Sequence, residues 1–560
     1  MRHIVSYFND SVKKHWDLPA VTNFGKETYT YAQMAQEIEK YHILFEETGI
    51  KKGDKIAIYA RNSAEWCIAY YATLTYDAVT VPFLPDFLPA AVVELGTFSE
   101  CKMLIVDDVA FNGFKASPEL LEKLSETKDF IGIVNIKDAS VLHDATDGKL
   151  TEIRENIDSK FSLRHPNGFT ADSFNYYKEE RDLNAAVEIS FTSGTTSATS
   201  KGVVLPARSL SANLEFGFRE IPCCVGGHIF AILPMAHMFG QAFDVLFPLS
   251  SGCHVFVMPG KPTPARLLAG LAAVKPFMFL TVPMVIEKIF KSKVFPATRK
   301  FPAKLLLKIP VLDKIVLNKI RKSLLNAFGN GFTTGVIIGG AALNREVEDL
   351  LKRMKFPYVV GYGMTECGPL ISYRDKSEYV KYSCGTNAHP LEIRIDSANP
   401  RRVLGEIQVK GDAVMLGYYK NEEATKAAFT ADGWLRTGDM GVFDAKSNLF
   451  IKGRCKNMIL TGSGQNIYPE EIEDKINNLP YIMESLVVGR KNAIVALVVA
   501  DYEGANKAGI SDEELEKMVD ENVLALNAEL ATYSKIGYTE IRREAFEKTP
   551  KQSIKRFMYS

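Results

Sequence analysis

The first hundred residues alternate between helical and strand patterns, and this alternation constrains the fold more than any other feature of the chain. Apolar residues recur at helical spacing over residues 31–47 and again over 62–73. Short apolar runs at residues 55–60, 79–83 and 104–106 are typical of buried strands. Strands separated by helices pair in parallel, with helices on both faces of the sheet. We therefore predict an α/β fold whose binding sites lie at the carboxyl ends of the strands.

Residues 188–206, EISFTSGTTSATSKGVVLP, form the densest group of small hydroxyl residues and glycines in the chain. An apolar lead at residues 189–191 predicts a strand, and the polar loop follows the end of that strand. Backbone amides at glycine, hydroxyl donors and the ammonium of Lys201 together suit a polyphosphate. The loop is not a Walker A motif, because Ser200 stands where that motif has glycine and Gly202 where it has a hydroxyl residue. Taken alone, this composition is equally typical of a solvated linker.

Length, charge and cysteine content exclude several classes of protein. A chain of 560 residues is too long for one core and predicts at least two domains. Its 67 basic residues match 67 acidic ones, so the net charge predicts no nucleic-acid partner. Eight cysteines without a CxxC pattern indicate reduced thiols in a cytoplasmic protein and no zinc site. The first residues lack the pattern of a signal peptide, and prolines or charges interrupt the longest apolar stretches, so we predict no transmembrane helix.

Two further strand ends carry polar side chains that suit a ligand. His237 follows an apolar run at residues 230–233, although a single histidine in such a place is more often structural. A run at residues 356–360 leads into the segment GYGMTE at residues 361–366. An aromatic ring, a hydroxyl and a carboxylate so close together can stack a base, hold a phosphate oxygen and ligate magnesium. The alternative is an ordinary turn with a surface carboxylate.

The pattern changes in the last third of the chain. From about residue 402, short strands with turns predict an antiparallel subdomain. From about residue 453, the chain has its own alternation of helix and strand, which predicts two domains, residues 1–453 and residues 454–560. The basic tail at residues 549–560 is predicted to be extended.

Residues 288–322 form a basic segment in which Asp313 is the only acidic residue and apolar residues are interleaved with lysines. A basic amphipathic segment can lie on an anionic membrane surface. The alternative, slightly favoured by the sequence, is a solvated helical hairpin that covers the core.

Taken together, seven motifs in order along the chain resemble those of the adenylate-forming superfamily of acyl-CoA synthetases, luciferases and peptide-synthetase adenylation domains. They are FTSGTTSATSKGV, LPMAHMFG, GYGMTECGP, GEIQVKGDAVMLGYYKNEEAT, DGWLRTGD, GRCKNMIL and GQNIYPEEIE. The resemblance covers nearly the whole chain. An insertion at residues 288–328, leading into GVIIGGAALN, is similar to the long-chain fatty acid branch.

The resemblance implies a fold and a reaction. The fold would be a large N-terminal domain with parallel-sheet subdomains and a smaller β subdomain, followed by a small mobile α+β C-terminal domain. In the reaction, a fatty acid carboxylate would attack the α-phosphate of ATP and expel pyrophosphate, with Mg²⁺ as the metal. The thiol of coenzyme A would then attack the acyl-adenylate, and the enzyme would supply chiefly positioning and charge stabilisation.

The resemblance also implies a role for each motif residue. Contacts with the β and γ phosphates fall to Thr192, Ser193, Gly194, Thr195, Thr196 and Lys201. The adenine site would include Gly340, Ala341, Ala342, Gly361, Tyr362 and Gly363. Thr365 would lie near the α-phosphate, Glu366 on magnesium, Asp439 and Arg454 on the ribose, and His237 beside the carboxylate. Lys456 would be the hinge of the small domain, and residues 462–464, with Gly462 and Gly464, would line the pantetheine path.

The chain departs from the superfamily pattern in two places. The phosphate loop has Ser197 and Ser200 where the superfamily has glycine and proline, and it is one residue longer. In the C-terminal motif, Ser553 stands where the superfamily has the lysine that neutralises the α-phosphate. Because residues two apart in an extended segment project to the same side, Lys551 or Lys555 can take its place. We favour Lys555, since the next residue keeps the KR ending, and the alternative is that both lysines only make the tail basic.

Three functions therefore stay open at this stage. The first is an acyl-CoA synthetase for medium to long fatty acids. The second is an acyl-AMP ligase that loads an acyl carrier protein instead of coenzyme A. The third is a catalytically silent nucleotide-binding homologue, which Ser553 and the altered phosphate loop make conceivable.

Overall fold

A computed structural model describes the chain at residues 1–177, 180–192, 200–260, 263–299, 301, 303–309, 311–460, 466–490, 493–548 and 554–559. The strands are β1 (Pro19–Asn23), β2 (Thr28–Thr30), β3 (Lys55–Tyr59), β4 (Val79–Phe83), β5 (Cys101–Val106), β6 (Gly132–Asn135), β7 (Val141–Asp144), β8 (Ala186–Phe191), β9 (Gly202–Pro206), β10 (His228–Ala231), β11 (His254–Val257), β12 (Met278–Thr281), β13 (Gly335–Ile338), β14 (Tyr358–Val360), β15 (Tyr362–Gly363), β16 (Leu370–Tyr373), β17 (Thr386–Asn387), β18 (Glu392–Asp396), β19 (Gly405–Lys410), β20 (Gly417–Tyr418), β21 (Leu435–Phe443), β22 (Leu449–Arg454), β23 (Ile459–Leu460), β24 (Asn466–Ile467), β25 (Ile482–Arg490), β26 (Ala493–Ala500) and β27 (Ile536–Arg542).

The α-helices are α1 (Ile4–Lys14), α2 (Tyr31–Glu47), α3 (Ala64–Thr75), α4 (Pro89–Phe98), α5 (Asp108–Lys115), α6 (Pro118–Ser125), α7 (Lys149–Glu155), α8 (Ile157–Arg164), α9 (Ala207–Glu220), α10 (Met238–Gly240), α11 (Phe247–Ser250), α12 (Pro264–Val274), α13 (Pro283–Ile289), α14 (Phe295–Arg299), α15 (Ala303–Leu306), α16 (Leu312–Ala327), α17 (Arg345–Arg353), α18 (Glu422–Ala428), α19 (Pro469–Ile476), α20 (Tyr502–Lys507) and α21 (Asp512–Ala525). Two π-helices, Gln241–Leu246 and Phe290–Val294, continue α10 and α13. Short 3₁₀ helices include Thr365–Cys367, Cys455–Asn457 and Arg556–Met558.

Local signals explain where the first helices begin. The side chain of Thr30 accepts a hydrogen bond from the amide of Gln33, whose side chain accepts one from Thr30 in return, and this capping box starts α2. Ser63 caps α3 in the same position. Every residue of α3 is buried, because the helix is covered on all sides by other elements of the large domain.

Two large sheets form the N-terminal part of the chain. One has the strand order β20-β9-β8-β4-β3-β5-β6-β7, and the other has the order β14-β13-β12-β10-β11-β1-β2. The central strands of both sheets pair in parallel, and antiparallel strands occur at their edges. Parallel strands align their carboxyl ends at one edge of a sheet, which is where the loops that carry the predicted site begin.

A four-stranded antiparallel sheet, β18-β19-β21-β22, forms the predicted β subdomain. The last part of the chain has its own sheet, β25-β26-β27, covered by α19 and α21. The main apolar core ends at Leu449, and separate clusters of buried residues begin at Ile467. The proposed domain boundary between residues 453 and 454 lies in the interval between these cores.

The structure confirms the α/β class and corrects several predicted ends. The bounds of α2 and β4 are those predicted, whereas β10 ends at Ala231 rather than at residue 233, and β14 begins at Tyr358 rather than at residue 356. The tail is not extended throughout, because Arg556–Met558 forms a 3₁₀ turn. Among the described residues, no helix has the length and apolar character needed to cross a bilayer.

Candidate active site

Four neighbouring parallel strands bring distant parts of the chain to one edge of a sheet. The pairs Met278 with Ile229, Ile337 with Leu280, and Val360 with Ile338 set the register of β10, β12, β13 and β14. The segments after these strands carry, in order, His237, Val282, the predicted adenine loop at residues 340–342, and Tyr362, which opens β15. Residues that are more than a hundred positions apart therefore meet at this edge, as the sequence predicted for strand ends.

The loop after β13 runs close to the loop that carries His237. A β-carbon built on Gly339 would lie 3.1 Å from the ring of Phe239, so only glycine fits there without movement of the ring. Gly340 has φ of +88°, a conformation that favours glycine. Gly340, Ala341 and Ala342 are exposed, and α17 starts three residues later at Arg345. This loop can therefore lie along the face of a flat ligand.

The base of the phosphate loop is held by a pair of residues at its two ends. The amide of Thr192 donates to the carbonyl of Lys201 (3.0 Å), and the amide of Lys201 donates to Oγ1 of Thr192 (3.4 Å). The strands β8 and β9 continue this antiparallel pairing away from the loop. Both predicted residues at the ends of the loop are thus together, whereas Ser193, Gly194, Thr195 and Thr196 lie outside the described residues.

Tyr418 connects the phosphate loop to the predicted metal ligand. Nζ of Lys201 lies 4.4 Å from the centre of the Tyr418 ring, and the Tyr418 hydroxyl donates to Oε1 of Glu366 (2.9 Å). The contact with the ring is a cation–π interaction, which leaves the lysine charge available to an anion. Tyr418 was not among the predicted site residues, because its neighbours in space are 52 and more positions away in sequence.

Thr365 and Glu366 lie in a turn that Asn213 fixes from α9. The side chain of Asn213 donates to the carbonyl of Cys367 (3.0 Å) and accepts from the amide of Leu370 (3.0 Å). Thr365 and Glu366 are both buried. The described residues contain no cluster of three or more possible metal-ligating side chains, so Glu366 is a single carboxylate. This fits Mg²⁺, which proteins commonly bind through one or two carboxylates and the phosphates of the substrate.

A second set of polar contacts lies beside the aromatic ring predicted to stack on adenine. The hydroxyl of Tyr362 donates to Oδ2 of Asp439 (2.6 Å), and Nε of Arg454 lies 3.0 Å from Oδ1 of the same carboxylate. Asp439 and Arg454 face each other across β21 and β22. Burial raises the pKa of Asp439, against the effects of Arg454 and Tyr362. The buried carboxylate and the exposed guanidinium can both reach a polar ligand at this edge.

The remaining predicted residues divide between the hinge and the C-terminal domain. Lys456 is exposed in the 3₁₀ turn Cys455–Asn457, which leads from β22 into the C-terminal domain. Nζ of Lys555 lies 3.8 Å from Glu547 in its own domain, and no contact between Lys555 and the strand-end residues occurs within the part of the chain that the structure describes. Lys551, Gly462 and Gly464 lie outside the described residues.

The structure adds a buried polar cluster that the sequence analysis did not single out. The carboxylate of Glu188, in β8, accepts a hydrogen bond from the Tyr70 hydroxyl (2.8 Å) and another from the side-chain amide of Gln241. Gln241 lies one helical turn beyond His237, whose carbonyl accepts from its amide (2.9 Å). The cluster therefore ties the strand that leads into the phosphate loop to the helix that follows His237. A glutamate inside an apolar strand was the only sequence signal for it.

The fold and the site together define a class of protein. An α/β domain with a hydroxyl-rich loop and lysine, an aromatic ring at a strand end and a single buried carboxylate is suited to a magnesium-bound nucleoside polyphosphate. A family model described as AMP-binding enzyme matches residues 8–419, and one described as AMP-binding enzyme C-terminal domain matches residues 456–559. The chain belongs to the AMP-binding enzyme family.

Curated relatives match most of the chain at low identity. Probable acyl-activating enzyme 16 of Arabidopsis thaliana is 26% identical over 97% of this chain and 82% of its own length. The long-chain-fatty-acid–CoA ligase FadD15 of Mycobacterium bovis is 28% identical over 85% of this chain and 77% of its own length. The 4-coumarate–CoA ligase CCL1 of Humulus lupulus is 25% identical over 93% of this chain and 88% of its own length.

Solved structures support the fold across both domains. The ATP-bound MatB structure from Rhodopseudomonas palustris aligns with a TM-score of 0.75 at 20% identity, covering 100% of this chain and 98% of that one. An anthranilate CoA ligase, AuaEII, in complex with anthranoyl-AMP aligns with a TM-score of 0.76 at 17% identity, covering 100% of this chain and 96% of that one. At these identities the likeness concerns the fold alone.

Proposed function

We propose that this protein is an acid–thiol ligase that activates a carboxylic acid with ATP and transfers the acyl group to coenzyme A. The observation that carries the proposal is the chain of contacts from Lys201 through Tyr418 to Glu366. The pair Tyr362 and Asp439 begins four residues before Glu366, and the loop that carries His237 packs against the loop after β13. Membership of the AMP-binding enzyme family and relatives named as CoA ligases support the same reaction.

The residues of the site fit the two steps of this reaction. Lys201 and Thr192 would hold the terminal phosphates, and Thr365 would lie beside the α-phosphate. Glu366, held by Tyr418, would bind Mg²⁺, which neutralises charge on the phosphates. Asp439 and Arg454 would bind the ribose hydroxyls. Lys456 would act as the hinge about which the small domain turns between the two steps, and the loop at residues 462–464 would then form the pantetheine path.

We propose a fatty acid of medium to long chain as the acyl substrate. The insertion at residues 288–328 supports this. Curated relatives with names of long-chain enzymes include FadD15 and the peroxisomal long chain acyl-CoA synthetase 6 of Arabidopsis thaliana. The competing class is an aromatic acid, since several relatives are named 4-coumarate–CoA ligases.

The reduced cysteines, all free of disulfides, support a cytoplasmic location.

The test is pyrophosphate release with ATP and Mg²⁺ across a panel of acids from acetate to oleate, with 4-coumarate included, in the presence and absence of coenzyme A. Turnover that peaks on long chains and requires coenzyme A is the expected result. If turnover peaked on 4-coumarate, the proposed acyl substrate would be an aromatic acid and not a fatty acid. Turnover with a phosphopantetheinylated carrier protein, and none with coenzyme A, would favour the acyl-AMP ligase.

The silent homologue stays a candidate because of the altered phosphate loop and because Ser553 stands where the superfamily has a lysine. We propose that Lys555 neutralises the α-phosphate instead, with Lys551 as the second candidate. Lys555 must leave Glu547 to do so, so it would act only after a movement of the tail or domain. Lys555→Ala should lower the rate of adenylate formation at least tenfold, while transfer from preformed acyl-adenylate to coenzyme A stays within twofold. Normal adenylate formation in both Lys555→Ala and Lys551→Ala would remove this proposal.

A further inference from the structure

The basic segment at residues 288–322 exposes an unusual group of apolar side chains. Five of the 21 large apolar side chains that are exposed in the described residues lie between residues 301 and 315. Their exposed fractions are 83% for Phe301, 53% for Leu305, 42% for Ile309, 65% for Val311 and 62% for Ile315. Single exposed apolar residues are ordinary on protein surfaces, but a cluster of this kind marks an interaction surface. We call these five residues the apolar patch.

The helix α16, which carries Ile315 of the patch, is anchored to the large domain. Leu317 and Leu324, on α16, are buried in the main core. Ile315, Lys314 and Lys319 of the same helix are exposed, so the outward side of α16 carries both apolar and basic residues. Ile315 of the patch is therefore presented to solvent by a helix whose other side is buried, and the other four patch residues precede this helix in the chain.

The charge of residues 288–322, which include the patch, is strongly one-sided. Residues 288–322 contain 11 lysines and arginines and a single acidic residue, Asp313. Asp313 is directed toward Arg353 of α17, with 3.8 Å between the charged groups. The exposed Lys308, Lys314 and Lys319 have no carboxylate within 4.0 Å among the described residues. The uncompensated charge beside the patch is thus positive.

We propose that the apolar patch and its lysines dock the protein on the surface of an anionic lipid bilayer. Such a bilayer accounts for both the exposed apolar side chains and the positive charge. The apolar side chains would enter the boundary between headgroups and acyl chains, and the lysines beside them would contact anionic headgroups. A polyanion such as a nucleic acid would pair with the lysines and leave the five apolar side chains in water. The proposal does not depend on the acyl substrate, because docking requires neither ATP nor an acid.

The experiment is flotation of the full-length protein with phosphatidylcholine vesicles and with vesicles that also contain phosphatidylserine, without substrates. The protein should float with the anionic vesicles only, and raised salt should weaken the association. Lys308→Gln with Lys319→Gln should lower the partition coefficient by about 25-fold, at about fivefold for each lysine. Phe301→Ser should lower it by about tenfold or more, because an apolar ring no longer inserts.

Matched controls separate docking from general effects of substitution. Leu163→Ser removes a side chain of similar exposure (80%) elsewhere, and Lys446→Gln removes an exposed lysine in the β subdomain; both should float like the parent protein. Thermal melting and turnover of a water-soluble acid should be unchanged in all variants. Equal binding to neutral vesicles, no binding to either kind, or the same loss in the control variants would overturn the proposal. The proposal would also be overturned if light scattering showed a dimer that Phe301→Ser dissociates, because the patch would then bind a second copy of the protein.

Discussion

Replacing Glu188 by glutamine should change how the stability of the large domain depends on pH. Glu188 is fully buried in β8, and its described partners are the neutral groups of Tyr70 and Gln241. No cation contacts the carboxylate among the described residues, and its second oxygen has no hydrogen-bond partner there. Burial therefore outweighs the two hydrogen bonds and raises the pKa of Glu188 from 4.5 to about 7.

The sign and size of the effect follow from proton linkage. Between pH 4.5 and about 7, the folded chain keeps the proton on Glu188 while the unfolded chain has lost it. The contribution of Glu188 to stability is thus fully present below pH 4.5 and is lost as the pH rises through about 7. Between pH 5 and pH 8, the free energy of unfolding falls by about 2.5 kcal/mol from this one group. Glutamine has a similar shape and no ionisation, so the variant lacks this fall.

The assay is guanidinium denaturation of the parent protein and of Glu188→Gln at several pH values from 5 to 8. Tryptophan fluorescence reports on unfolding of the large domain, which holds all three tryptophans, including Trp66, whose ring centre lies 5.3 Å from that of Tyr70. Between pH 5 and pH 8, the free energy of unfolding of the variant should rise by about 2.5 kcal/mol relative to that of the parent protein. Glu155→Gln removes an exposed carboxylate and should track the parent protein. A difference for Glu188→Gln that stays constant to within about 0.5 kcal/mol would refute the reasoning.

Three further substitutions test the site itself. Asn213→Ala removes both hydrogen bonds that hold the turn of Glu366. It should therefore cost about 1 to 3 kcal/mol of stability and lower the rate of pyrophosphate release. Unchanged melting and turnover would contradict this. In steady-state kinetics, Asp439→Asn should raise the KM for ATP about tenfold or more. Asp432→Asn, at an exposed aspartate, should leave this KM unchanged. Glu366→Gln should raise the Mg²⁺ concentration needed for half-maximal turnover, and an unaltered Mg²⁺ titration would argue against Glu366 as a ligand.

Local sequence patterns were sufficient for the elements that depend on neighbours in the chain. The bounds of α2 follow from its apolar spacing and from the capping box at Thr30, both of which lie within a few residues of one another. The strand β4 is likewise a continuous apolar run. The rule that parallel strands expose their carboxyl ends at one edge predicted that His237 and Tyr362 lie on the same side of the sheet, and both follow parallel strands of one sheet.

The sequence alone thus determined the α/β class and the family, and it proposed the strand-end residues of the candidate site, because these depend on periodicity and on motifs with local spacing. Only the tertiary structure decided that Tyr418 links Lys201 to Glu366, that Asn213 fixes the turn of Glu366, and that Glu188 meets Tyr70 and Gln241. These partners are between 52 and 217 positions apart in the chain. No local pattern encodes such pairs, since they arise only when the packing of whole strands and helices brings distant side chains together.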